Sequence, residues 1–204
     1  MNTEIDDLKA SVIELLKAGQ PVFFGCDVGQ FSDREAGIMD TSLHKASIEN
    51  AFDITLGMTK AERLQTNESQ MTHAMVITGA HVDPSTGRAA RYRVENSWGP
   101  EPGDKGYFVM TDTWFDEFVY QVVVPKKLAP EELVDVFEVG EKIVLPPWDP
   151  MVSHVVYPSF LTGLTLPSPG SSGLNIDMVT LFLLMASLVV ADVTFYLHDR
   201  GLPR

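Results

Sequence analysis

Cysteine is nearly absent from these 204 residues: Cys26 stands alone, so no disulfide can form within the chain. That usage fits a reducing compartment, and a cytoplasmic location is expected. Positive charge is also scarce, with 15 Lys and Arg against 28 Asp and Glu and a formal net charge of −13. Residues 152–204 carry three Asp against two Arg, so the acidity belongs to the first 151 residues. A surface of that sign repels phosphate backbones, and nucleic-acid binding is not expected. Apolar runs of membrane-spanning length are missing too. The stretch between Asp177 and Asp192 has 14 residues, below the ~18–20 that cross a bilayer, so a membrane anchor is not expected. The start, M-N-T-E-I-D-D-L, is acidic and polar, unlike a signal or transit peptide. There is no internal repeat.

What is present is organised around residues 71–107. His73 leads an apolar run, Ala74 to Ile77. A turn follows at Asp83-Pro84-Ser85-Thr86-Gly87, where Pro restricts φ and Gly can take positive φ. A second run, Tyr92 to Val94, leads to Asn96, with Trp98 two residues further on. Two such runs joined by that turn predict a hairpin that can bring His73 and Asn96 within reach of each other. The pair has a definite chemistry. A histidine that moves protons needs its second ring nitrogen held by an orienting group. An asparagine oxygen can do this without adding a full charge, and a neighbouring indole can keep water off the contact.

Around this hairpin the pattern predicts further elements. Ile5, Leu8, Val12 and Leu15 make one apolar stripe of a helix capped by Thr3 and ended by Gly19 and Pro21. Val22 to Phe24 reads as a buried strand closed by Gly25, and residues 29–58 read as loop. Thr59 and Glu62 form a capping-box pattern for a short helix. Strands are expected at Tyr107–Thr111 and Val119–Val124, bridged by a helical turn at Trp114-Phe115. A last helix should start after Pro130. Helices followed by clustered antiparallel strands argue for an α+β fold.

H-A-x-x-x-x-G, then Y-x-x-x-N-S-W-G, then K-G-Y-F resembles the second half of a papain-like cysteine peptidase. Further blocks narrow the resemblance to the bleomycin hydrolase branch. They are F-G-C-D-V-G at 24–29, A-E-R-L at 61–64, E-S-Q-M-T-H-A-M at 68–75, R-V-E-N-S-W-G at 93–99, M-T-D-T-W-F at 110–115 and L-P-P-W-D-P-M at 145–151. The resemblance implies the β-rich, His/Asn-bearing half of a papain-like domain over residues 1–151, acting as part of a cysteine-type aminopeptidase on peptide substrates. His73 would be the base, Asn96 its orienter and Trp98 a shield. No cofactor is implied. The family also suggests a homo-hexamer.

Cys26 precedes His73 and Asn96, the order in which the family's triad runs, and Gln20 lies six residues before it. The family nucleophile, however, opens a long helix whose dipole helps lower the thiol pKa. Cys26 follows strand-like P-V-F-F-G and precedes D-V-G, so it is read as a packed, structural thiol. The family's Q-x-x-x-x-x-C-W-x-F block is then expected on a missing N-terminal half. After Met151 the resemblance stops, whereas the family ends a few small residues later in an arm that enters the cleft. Residues 152–204 are loop-like, then apolar. Val152-Ser153 can be encoded GTGAGT, the form of an intron boundary, so this tail is expected to be translated intron. The absent arm puts hexamer assembly in question. Two other readings stay open: a non-catalytic pseudoenzyme half that binds peptides or subunits, and a tail-anchored membrane protein.

Overall fold

The computed structural model describes residues 1–144 and the backbone of 193–197. The elements in chain order are β1 (Asn2–Thr3), α1 (Ile5–Lys17), β2 (Val22–Cys26), β3 (Ser32–Asp33), β4 (Ile38–Met39), α2 (Lys45–Phe52), α3 (Lys60–Gln65) and β5 (His73–Val82). They continue with β6 (Ala89–Glu95), β7 (Tyr107–Thr111), α4 (Asp112–Phe118), β8 (Val119–Val124), α5 (Glu131–Val139) and β9 (Val193–Leu197). The strands form one sheet in the order β1-β9-β8-β2-β5-β6-β7-β4-β3. Pairing is antiparallel except for β4 with β7 and β1 with β9, which run parallel. The fold is thus α+β with a mixed sheet. No described helix is long and apolar enough to cross a membrane.

One face of the sheet is apolar because the strand period of two lines up across the register. Val22 pairs with Ile77, Ile77 with Val94, and Val94 with Phe108, so one continuous row crosses four strands. Each of these four side chains is buried. Helix α1 lays its stripe, Leu8, Val12 and Leu15, into the same core, and α4 adds Trp114, Phe115 and Phe118. The β5–β6 turn forms where Pro84 and Gly87 were expected to place it. Asp83 accepts from the Ser85 and Gly87 amides, and Gly87 takes φ 71°.

Several expectations are corrected. Glu4 occupies the α1 N-cap position, and Thr3 instead donates to Asp7 at 2.7 Å. Strand β2 runs through Gly25 to Cys26, because the β5 and β8 ladders on both sides continue to that point. Residues 29–58 are not all loop: they hold the small β3–β4 hairpin and helix α2. The Thr59–Glu62 capping box forms as read. The sequence readings on residues 145–192 and 198–204, the tail included, lie outside the described residues.

Candidate active site

His73 is the first residue of β5, and Asn96 directly follows β6. Val76 opposite Glu95 sets the register, so both side chains come to the same end of the hairpin. His73 Nε2 lies 3.0 Å from Asn96 Oδ1. The Ser97 amide donates to the same oxygen at 2.8 Å, which fixes how the Asn96 amide is turned. An oxygen that only accepts requires Nε2 to carry the proton, leaving Nδ1 as the free basic nitrogen. Asn96 is buried at 7% exposure, and its Nδ2 has no hydrogen-bond partner among the described residues. Trp98 stacks on the imidazole, with centroids 5.0 Å apart and planes at 27°. Phe108 meets the indole edge-on at 6.0 Å. All three residues singled out from the sequence therefore meet at one place.

Cys26 also lies close to this pair. It is the direct cross-strand partner of His73, yet fully buried, and no described hydrogen bond joins the thiol to the imidazole. Burial pushes its pKa well above the ordinary thiol value, and the neighbouring Asp27 charge adds to the rise. An activated thiolate needs the opposite environment.

Two features escaped the sequence reading. Asp27, itself buried, accepts from Ser69 Oγ at 2.8 Å, the Gln70 amide at 3.3 Å and Thr72 Oγ1 at 3.1 Å. These bonds fix the segment that delivers His73 into the sheet. The only hint was the spacing of donors in S-Q-M-T-H, with nothing to identify the acceptor 42 residues upstream. The second is Arg34, whose guanidinium lies over Trp98, 4.7 Å from the ring centroid. No group of three His, Cys, Asp or Glu among the described residues could hold a metal.

Residues 1–152 match the Peptidase C1-like family model. The chain is 48% identical over 153 residues to aminopeptidase C of Listeria monocytogenes, covering 75% of this chain and 34% of the relative. It is 47% identical over 152 residues to human bleomycin hydrolase, covering 74% and 33%. A crystal structure of PepW from Lactobacillus rhamnosis HN001 superposes with a TM-score of 0.69 at 52% identity, covering 74% of this chain and 33% of that one. The chain spans about a third of the length of the curated relatives it matches. On this match across three quarters of its length, the chain belongs to the Peptidase C1-like family.

Proposed function

We propose that residues 1–151 are the His/Asn-bearing part of a bleomycin-hydrolase-like cysteine aminopeptidase, hydrolysing peptide and amide bonds once a segment carrying the nucleophile completes the site. The observation that carries this reading is the His73 Nε2–Asn96 Oδ1 contact under the Trp98 ring, in a chain that matches this family. His73 Nδ1 takes the thiol proton as the sulfur attacks the carbonyl carbon, then gives it to the departing amine. In the second half it takes a proton from water, whose oxygen attacks the acyl-enzyme, and returns it to the sulfur. Asn96 holds the ring for both transfers, and Trp98 keeps water from competing for that hydrogen bond. Cys26 is unsuited to the nucleophile's place, being buried and raised in pKa.

The test supplies the chain with the unmatched two-thirds of the Listeria aminopeptidase C and measures turnover of aminoacyl fluorogenic substrates. The chain alone should show none, and the mixture should show turnover blocked by a thiol reagent. His73→Ala should remove nearly all of it. Turnover by the chain alone that Cys26→Ala abolishes would overturn the assignment of the nucleophile. A fully active His73→Ala variant would overturn that of the base. A well-folded complex inactive on every substrate would favour a non-catalytic, partner-binding role.

A further inference from the structure

Arg34 occupies the turn between β3 and β4, and this turn is built rigidly. Asp33 Oδ1 accepts from the Glu35 and Ala36 amides, both at 3.0 Å. Gly103 N donates to Glu35 O at 3.1 Å, tying the turn to the loop that leaves Trp98, and Val109 N donates to Gly37 O at 2.8 Å, tying it to β7. From this base the Arg34 guanidinium lies 4.7 Å from the Trp98 ring centroid, while the same indole stacks 5.0 Å from His73. The two contacts, laid end to end, limit the separation of guanidinium and imidazole to about 10 Å.

Arg34 is exposed, and no carboxylate among the described residues pairs with it. Lys9, Arg63 and Arg88, by contrast, each meet an acid. The flanking Asp33 turns one oxygen into its own backbone. A guanidinium stacked on an aromatic face keeps its N–H edge free, in the planar fork that suits a carboxylate.

We propose that Arg34 forms a carboxylate-binding subsite on the leaving-group side of the site, so that the completed enzyme favours substrates with a carboxylate one or two residues beyond the scissile bond. This rests on the function proposed above. His73 hands its proton to the departing amine, so the leaving part of the substrate must lie against the imidazole. An aminopeptidase leaves one residue on the other side. At ~3.3–3.6 Å per extended residue, the leaving side is the part of the substrate long enough to reach Arg34. The carboxylate can be an acidic side chain or the peptide's own C-terminus.

Three dipeptides separate these sources: Ala-Glu amide, Ala-Gln free acid and Ala-Gln amide. In the complemented enzyme, at least one carboxylate substrate should exceed the neutral one in kcat/KM by roughly tenfold, mainly through KM. Arg34→Gln should bring that ratio close to one, and Arg34→Lys should restore part of it. Equal turnover of all three by the parent enzyme, or a ratio unchanged by Arg34→Gln, would overturn the subsite. No turnover of any substrate would instead count against the proposed function. The subsite is then decided on the full 204-residue chain by following the Trp98 indole N–H in NMR titrations with the same dipeptides. Carboxylate ligands should shift that signal in the parent chain and not in Arg34→Gln. A signal that none of the ligands moves would refute the subsite.

Discussion

Asn96 serves two partners with one oxygen, the His73 ring and the Ser97 amide, and this double use makes its position stiff. Trp98 acts on the same contact from the ring face. The base moves a proton in each half of the proposed reaction, whereas these two residues only keep it in place. In the complemented enzyme, Asn96→Ala should therefore cost on the order of 10-fold to 10³-fold in kcat/KM and leave measurable activity. Trp98→Ala should act in the same direction. The double variant should lose less than the product of the single losses, because both changes damage one hydrogen bond. Fully multiplicative losses in that four-member cycle would mean that the two residues act separately. These three residues were legible in the sequence because a strand, a turn and a strand dictate which positions share an end. Asp27 and Arg34 were not, since their partners lie 42 to 64 residues away and no local period links them.

Among the elements, the small β3–β4 hairpin and α3 show how short pieces are fixed by long-range contacts. Helix α3 opens on its capping box and then clamps α4: Lys60 Nζ donates to Asp116 O and Val119 O, each at 2.6 Å. Arg63 spans from Met58 O to Glu117, pairing with its carboxylate. The capping box was readable because its chemistry is local, while the clamp was not. Residues 29–58 were read as loop because glycines and acids interrupt every period there. Helix α2 buries no residue, so it carries no core stripe for a sequence pattern to reveal. The hairpin hangs on a backbone-to-backbone approach instead. A Cβ on Gly37, at φ 67°, would sit 2.6 Å from Gly103 Cα and 3.0 Å from Tyr107 O. Gly37→Ala should therefore destabilise the chain by about 1–3 kcal/mol through strain and a forced shift. It should also loosen the loop after Trp98, weakening the carboxylate preference assigned to Arg34. Urea unfolding of Gly37→Ala reads the first effect, and an unchanged midpoint would show that the two turns move apart freely.

On the scale of the whole molecule, the groups that resist titration are spread across the central strands and the α3–α4 clamp, and global unfolding releases them together. Burial raises the pKa of Cys26 and Tyr92, and it pushes Tyr120 up to about 12. Each of these keeps its proton longer in the folded chain than in the unfolded one. Their contribution is complete below the ordinary values of 9.0 for the thiol and 10.0 for the phenols, and it is lost as pH rises above them. Lys60 has the opposite sign. Burial lowers its pKa well below 10.5, so the folded chain gives up that proton first, and stability is gained as pH climbs towards 10.5. Three groups of one sign oppose one of the other, so the urea midpoint should fall between pH 9 and pH 12. Tyr120→Phe should remove the share lost between pH 10 and about 12 and make the fall shallower, since Ser69 keeps its bond to Asp27. Lys60→Met should make the fall steeper at pH below 10.5 by deleting the opposing gain. A midpoint that stays level over this range, or a Tyr120→Phe variant that falls as steeply as the parent, would show that these groups reach water without global unfolding.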